Sequence, residues 1–132
     1  MDIVFLDANV LFSAAYRREA KFLILWRMPD VRLISSHYAA REARRNLRKP
    51  EQIERLETLL QSVDLAPLLA HTPLPEGVHL PAKDAPILLA AIKSDATHLL
   101  CADLKHFGPY YGKVIEGVLI LSPAGYFLTR PL

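Results

Sequence analysis

Four acidic residues in this chain of 132 residues stand at positions where carboxylates could act together. They are Asp7, Glu42, Asp84 and Asp103. Asp7 and Asp103 each follow a short apolar run that predicts a buried strand, and Asp84 opens a predicted helix. Glu42 lies about one and a half turns into another predicted helix. Because ligands of open α/β sheets bind beyond the carboxyl ends of the strands, the sequence predicts that these acids meet.

Each acid also has an interpretation without chemistry. Asp7 or Asp103 could begin a turn, and Asp84 could cap its helix. Glu42 could be a solvated helix residue that pairs with Arg45 three positions later. These alternatives stay open for each residue taken singly, and only convergence of the four would make a site.

Convergence would require a cation. Bare carboxylates about 4 Å apart repel by roughly 4 kcal/mol per pair at an effective dielectric near 20, so a fold tolerates such a cluster when a divalent ion neutralises it. The chain has one cysteine, Cys101, and no paired histidines, which favours Mg²⁺ or Mn²⁺ over zinc. The chemistry typical of such a site is attack by metal-activated water on a phosphodiester.

The elements that must position these acids alternate between strands and helices. Strands are predicted at residues 3–6, 31–34, 98–102 and 118–121, with a short edge strand at 63–65. Helices are predicted at residues 9–16, 19–28, 37–48, 51–60, 84–94 and 122–127, and prolines break the connector between 67 and 81. This order predicts one α/β domain over residues 1–132, with a parallel sheet flanked by helices on both faces.

Composition and charge exclude several other classes of protein. Apolar residues make up 52% and charged residues 23%, which argues against wholesale disorder. The longest apolar run, residues 85–92, is far shorter than the roughly 20 residues of a membrane helix, and the start lacks a signal-peptide pattern. We therefore expect a soluble cytoplasmic domain with no membrane contact. The net charge of +2 does not by itself indicate nucleic acid, but eleven of sixteen lysines and arginines fall between Arg17 and Arg55.

The motifs around the four acids resemble those of one known family. The residues that carry the resemblance are Leu6-Asp7-Ala8-Asn9-Val10-Leu11, Glu42 after Ser35-Ser36, Pro81-x-x-Asp84-x-Pro86-Ile87-Leu88-x-Ala90-Ala91 and Leu99-Leu100-Cys101-Ala102-Asp103. In spacing and order they closely resemble the PIN-domain ribonucleases, and the match extends from Asp2 to Phe127. Each motif alone is weak, but four of them in order on an α/β pattern are specific.

The resemblance implies a sheet of about five parallel strands and an endoribonuclease site that uses Mg²⁺ or Mn²⁺. The family's catalytic acids fall on Asp7, Glu42, Asp84 and Asp103, of which the three aspartates would hold the metal. Asn9 would support them by orienting a carboxylate or a metal-bound water. Many bacterial members are toxins of the VapC type, so the resemblance also implies an RNA substrate, a homodimer and silencing by a small antitoxin protein.

Two positions depart from the family pattern. The family often carries Thr or Ser just after the first aspartate and just before the last, where this chain has Ala8 and Ala102. Hydroxyls at these positions would orient metal ligands, so their absence affects the expected metal affinity and rate. The alternative is therefore a PIN-like domain that no longer cleaves and instead binds RNA or protein.

Other folds that begin with a strand and an acid fit less well. A haloacid-dehalogenase-type phosphatase needs a second acid two residues after the first, and Asn9 stands there. A phospho-receiver domain needs neighbouring acids at the end of its first strand. A phosphate-binding loop or a dinucleotide fold needs a glycine-rich first turn, whereas no glycine precedes Gly77.

Two basic residues are predicted to contact RNA. In a helix that begins near His37, steps of about 100° per residue put Arg45 and Lys49 within about 60° of Glu42. If Glu42 lies at the scissile phosphate, these two side chains can hold neighbouring phosphates. Arg44 falls on another side of the same helix, and we expect it to contribute less.

A histidine and a set of apolar side chains are two further features of the sequence. His106, three residues after Asp103, could approach the site, but we interpret it as a surface histidine. The apolar side chains of the first two predicted helices exceed what one packing face needs, and a second copy of the chain or an antitoxin peptide is expected to cover part of them. They include Phe12, Phe22, Leu23 and Leu25.

Overall fold

The strands and helices alternate along the chain as the sequence predicts, in a computed structural model that describes residues 1–67 and 72–130. The strands are β1 (Asp2–Leu6), β2 (Val31–Ser36), β3 (Asp64–Ala66), β4 (His98–Leu100), β5 (Val114–Ile115) and β6 (Val118–Leu121). The α-helices are α1 (Ala8–Tyr16), α2 (His37–Asn46), α3 (Pro50–Leu60), α4 (Ala85–Lys93) and α5 (Pro123–Thr129). Short 3₁₀ helices span Lys21–Arg27 and Gly108–Tyr110.

One sheet of six strands, in the order β3-β2-β1-β4-β6-β5, forms the centre of the molecule. Five of these strands are mutually parallel, which confirms the expected sheet, and the two-residue β5 adds an antiparallel edge beside β6. From β1 the chain runs outward to β2 and β3 and then returns to β4 on the other side of β1. The strand order therefore switches between β1 and β4, where α/β folds bind their ligands.

The central strand is buried on both faces. Val4, Phe5 and Leu6 of β1 are fully buried, which explains why this segment is continuously apolar instead of alternating. Polar residues at the strand ends then start the helices. Oδ1 of Asp7 accepts a hydrogen bond of 2.6 Å from the Ala8 amide at the start of α1, and Ser36 caps α2 through the amide of Ala39.

Three boundaries differ from the sequence prediction. The helix predicted at residues 19–28 is the shorter 3₁₀ helix Lys21–Arg27, in which the amide of Leu23 bonds to the carbonyl of Ala20. The helix predicted at residues 37–48 ends at Asn46, because Leu47 turns out of the helix with extended backbone and is buried in the core. The strand predicted at residues 98–102 ends at Leu100, before the segment that leads to Asp103.

The connector between β3 and α4 is only partly described, since residues 68–71 of the predicted proline-rich segment lie outside the described residues. The short edge strand predicted at 63–65 is present as β3, one residue later. Across the described part of the chain, none of the helices combines the length and the apolar character needed to cross a membrane.

Candidate metal site

Asp7 stands directly after β1, at the sheet's switch point. Its amide donates to the carbonyl of Leu100 at 3.0 Å, which extends the pairing of β1 with β4, and its side chain caps α1. The residue is only 5% exposed. Burial raises the pKa of Asp7 to about 7, and the charges of Asp84 and Asp103 add to this effect against the opposing hydrogen bond from Ala8.

Asp103 lies three residues beyond β4 and is held by the turn that it begins. Its Oδ1 accepts hydrogen bonds from the amides of Lys105 and His106 at 3.0 and 3.1 Å, and its Oδ2 lies 2.8 Å from Nδ1 of His106. Burial would raise the pKa of Asp103, but the hydrogen bonds and charge of His106 outweigh it and keep the pKa below its usual value. Asp103 is therefore a well-anchored, ionised carboxylate.

Asp84 precedes α4 but does not cap it, since its side chain makes no hydrogen bond to the first turn. The residue is 8% exposed, and its Oδ2 accepts no hydrogen bond from any described residue. This oxygen lies 3.0 Å from Nδ1 of His106. Burial raises the pKa of Asp84, although the positive charges of Lys83 and His106 oppose the shift. A buried carboxylate oxygen without a hydrogen bond is costly unless a cation satisfies it.

Glu42 reaches the same region from α2. Its Oε1 lies 3.2 Å from Nη1 of Arg45, so the ion pair with the residue three positions later is present. The Glu42 side chain is 30% exposed, more than the three aspartates at the end of the sheet. Glu42 therefore stands toward the open side of the site.

The four acids line one cleft of about 440 Å³. Its lining comprises Asp7, Ala8, Asn9, Phe12, Tyr38, Glu42, Asn46, Lys83, Asp84, Ile87 and Asp103. The acids come from four different segments that are distant in sequence, which matches the expectation that strand ends and helix starts would bring them together. Asn9 and Asn46 line the same cleft, and Asn46 lies four residues after Glu42 on the same face of α2.

Two acids of the cleft and a neighbouring histidine fit a divalent cation. One ligand atom from each of Asp84, Asp103 and His106 can be chosen so that all three lie within 4.8 Å of one another. Oδ2 of Asp84, the oxygen that lacks a hydrogen bond, lies 3.0 Å from Nδ1 of His106. Carboxylate oxygens with a single imidazole nitrogen suit Mg²⁺ or Mn²⁺ better than a structural zinc site.

Asn9 contacts the main chain of the site instead of an acid. Its Oδ1 accepts a hydrogen bond of 3.1 Å from the amide of Ala102. Ala102 immediately precedes Asp103, so Asn9 positions that aspartate through the backbone. That Asn9 also orients a carboxylate or a metal-bound water, for which its side-chain nitrogen Nδ2 is left, remains a prediction.

Lys49 does not lie on the helix from which its role was predicted. Because α2 ends at Asn46, the spacing of about 100° per residue does not extend past Leu47 and does not relate Lys49 to Glu42. Lys49 instead precedes the first turn of α3. It lines a second depression, outside the cleft of the acids, together with Arg17 and other residues from the end of α1, the segment after it and α3. Contact between Lys49 and RNA remains a prediction, but the argument that Lys49 shares a helix face with Glu42 no longer supports it.

Three residues of the site were missed or underrated in the sequence. His106 is half-buried against Asp84 and Asp103, so its interpretation as a surface histidine is wrong. Lys83 and Tyr38 line the cleft, and the hydroxyl of Tyr38 donates to the carbonyl of Lys83 at 2.7 Å. A signal existed for Tyr38, because it lies four residues before Glu42 and so shares its helix face.

Comparison with known proteins finds this fold in a solved structure. No family model and no curated protein matches the chain. The crystal structure of VapBC2 from Rickettsia felis bound to a DNA fragment from their promoter is similar, with a TM-score of 0.66 and 16% sequence identity. The match covers 91% of this chain and 98% of that chain. At this level of identity, the likeness concerns the fold.

Proposed function

We propose that this chain is a divalent-metal-dependent endoribonuclease of the PIN type. The observation that carries the proposal is the Oδ2 atom of Asp84, which is buried without a hydrogen bond beside Asp103 in an acidic cleft. Such an arrangement is unfavourable for a structural acid and favourable for a cation ligand. The fold shared with a VapBC2 structure supports the same class of protein.

In this proposal, Asp7, Asp84 and Asp103 hold Mg²⁺ or Mn²⁺. The ion, when bound, supplies an activated water and offsets negative charge on the phosphodiester. Its binding favours the ionised form of Asp7, whose pKa is raised to about 7 in the folded chain. Asn9 and the backbone hydrogen bonds at Asp103 hold the ligands in place.

The remaining cleft residues would bind and orient RNA. Glu42 is a fourth catalytic carboxylate, at the open side of the cleft, with Arg45 beside it. Lys83 brings a positive charge into the cleft next to Asp84, where it can contact a phosphate of the substrate. Tyr38 fixes the main chain of Lys83 through its hydrogen bond and so holds that segment in position.

We also propose that the chain is a toxin that forms a homodimer and pairs with an antitoxin protein. The similarity to a VapBC2 structure supports this assignment, as does the resemblance of the sequence motifs to toxins of the VapC type. The half-buried apolar side chains of Phe12, Phe22 and Leu23 are candidates for the surface that a second copy or the antitoxin would cover. Leu25, by contrast, is in the core and is not available.

The test is cleavage of end-labelled RNA with and without added Mn²⁺ or Mg²⁺. Asp84→Asn should lower the cleavage rate by roughly two orders of magnitude or more, because it removes a ligand charge at nearly constant shape. Asp64→Asn is the matched control, since Asp64 is exposed and pairs with Arg32 outside the cleft. Equal activity of the two variants would contradict the proposal.

A second candidate function rests on Ala8 and Ala102, which provide no hydroxyl beside the first and last aspartates. Under this alternative, the domain binds RNA or protein without cleaving it. It predicts that the parent protein retards RNA in a gel but produces no metal-dependent fragments. Loss of cleavage activity on adding EDTA would exclude this alternative for the parent protein.

A further inference from the structure

His106 contacts two acids of the cleft, Asp84 and Asp103, and the proposed function gives it no role. Its side chain is 22% exposed, and Nδ1 lies 2.8 Å from Oδ2 of Asp103 and 3.0 Å from Oδ2 of Asp84. One nitrogen atom therefore stands between the two carboxylates that come from the loop after β4 and the start of α4. The same nitrogen atom thus contacts one oxygen of each acid.

We propose that Nδ1 of His106 is a direct ligand of the same ion as Asp84 and Asp103, so that the site prefers Mn²⁺ over Mg²⁺. The inference rests on the proposed function only in requiring that the cleft binds a divalent cation. It adds a nitrogen ligand and a metal preference that the acids by themselves do not imply.

The distances agree with ligands of one ion. Two ligands at right angles around an ion with bonds of about 2.1 Å lie about 3.0 Å from each other. The separations of 2.8 and 3.0 Å between Nδ1 and the two oxygens match this value. Oδ2 of Asp84 is buried, and apart from the contact with Nδ1 of His106 at 3.0 Å it has no polar partner among the described residues, so it is available to a cation.

The imidazole is also held in place before any ion binds. The amide of His106 donates to Oδ1 of Asp103 at 3.1 Å, which fixes the turn between the two residues. Phe107, the next residue, is fully buried and anchors the turn to the core. Little side-chain ordering is then needed when His106 binds a metal.

A nitrogen ligand changes which ion the site prefers. Mg²⁺ binds oxygen ligands and loses its waters reluctantly, whereas first-row transition ions accept imidazole readily. A site in which one imidazole joins the carboxylates should therefore favour Mn²⁺ when both ions are present. This preference is a property of His106 and should disappear with it.

The alternative role for His106 is a hydrogen-bond donor that only positions Asp103. His106→Asn separates the two roles, because the amide nitrogen of asparagine can still donate to Asp103, whereas any metal ligand that asparagine offers is its carbonyl oxygen and not a nitrogen. His37→Asn is the matched control, since His37 is exposed at the start of α2. Both variants are made in the full chain and compared with the parent.

The experiment uses Mn²⁺ itself as the probe. Pulsed electron paramagnetic resonance of the Mn²⁺-loaded protein should show coupling to one ¹⁴N nucleus in the parent and in His37→Asn, and none in His106→Asn. Titration with Mn²⁺ should show that His106→Asn lowers the Mn²⁺ affinity by about tenfold or more. Competition of Mg²⁺ against Mn²⁺ should show that the same variant lowers the Mg²⁺ affinity by less than about threefold.

The outcomes distinguish this inference from the proposed function. Mn²⁺ binding without nitrogen coupling in the parent, or an equal loss of Mn²⁺ and Mg²⁺ affinity in His106→Asn, would overturn the ligand role while the nuclease proposal stands. Nitrogen coupling in a protein that cleaves no RNA would support the ligand role and overturn the nuclease proposal. Failure of the parent to bind Mn²⁺ would overturn both.

Discussion

Oδ1 of Asn9, in the first turn of α1, accepts a hydrogen bond of 3.1 Å from the amide of Ala102, 93 residues later in the chain. This contact spans the point where the strand order switches between β1 and β4. It ties the helix that Asp7 caps to the segment that carries Asp103. Two carboxylates of the cleft that are distant in the sequence are thus held in register by one side chain.

Asn9→Ala should lower the free energy of unfolding and weaken metal binding. Loss of the hydrogen bond to Ala102 is expected to cost about 1 kcal/mol in urea unfolding. The matched control is Asn46→Ala, which gains the same helix propensity but removes only a local hydrogen bond to the carbonyl of Glu42. If the two variants lose equal stability and bind Mn²⁺ equally well, Asn9 does not position the Asp103 loop.

Ala102→Ser should be tolerated and should increase Mn²⁺ affinity. Only the backbone amide of Ala102 is used in the contact with Asn9, and the residue is exposed, so a hydroxyl can be added without displacing core atoms. A serine there can hydrogen-bond a metal ligand and orient it. Isothermal titration with Mn²⁺ measures the change, and Ala124→Ser, at an exposed position in α5, is the control. Unchanged or weaker affinity would contradict the prediction.

Asp7 should make the metal-free protein less stable as pH rises. Because burial raises its folded-state pKa to about 7 from 3.8, the folded state holds a proton that the unfolded state loses in this range. The free energy of unfolding should therefore fall between about pH 4 and pH 7. Asp7→Asn should reduce that fall and leave the contribution of Asp84, whose pKa burial also raises. At pH 8 the variant should be more stable than the parent, measured by urea unfolding in EDTA.

Asp103→Asn is the contrasting variant in the same measurement. Hydrogen bonds keep the pKa of Asp103 low despite burial, so its ionised form stabilises the fold above the unfolded-state pKa and this stability is lost as pH falls. Asp103→Asn should therefore reduce stability at pH 8, opposite to Asp7→Asn. A stabilising effect of both variants, or of neither, would show that the two carboxylates do not differ as described.

Arg45→Ala should weaken RNA binding more than Arg44→Ala. Arg45 stands beside Glu42 of the cleft, whereas Arg44 pairs with Glu57 of α3. If Arg45 contacts a phosphate, its loss should reduce the slope of binding against salt concentration by about 1. Fluorescence anisotropy with labelled RNA over a salt series gives both quantities. An equal effect of the two variants would indicate that Arg45 serves only the ion pair with Glu42.

A homodimer should depend on the apolar residues of α1. Phe12 is half-buried and its ring centroid lies 5.4 Å from that of Tyr16, which is 53% exposed. Tyr16→Glu should shift the mass measured by light scattering from two chains toward one, because a charge would be placed in an apolar interface. Leu128→Glu, at an exposed position of α5, is the control. A parent protein that is monomeric at all concentrations would contradict the dimer.

The sequence by itself determined the alternation of strands and helices and the positions of the four acids at their ends. Apolar runs such as Ile3 to Leu6 are long enough to fix buried parallel strands, and parallel strands place their carboxyl ends along one edge. Once the strand order switches beside β1, Asp7 and Asp103 must lie close together. The convergence of these acids in one cleft therefore follows from local pattern and topology.

Only the tertiary structure decided the details of contact within the cleft. A histidine three residues after Asp103 could have faced solvent, and it faces Asp84 because the buried Phe107 anchors the turn. Likewise, α2 ends at Asn46 because Leu47 gains more by entering the core than by continuing the helix, which separates Lys49 from Glu42. Both outcomes depend on packing between segments distant in the sequence, and periodicity within one segment carries no information about such packing.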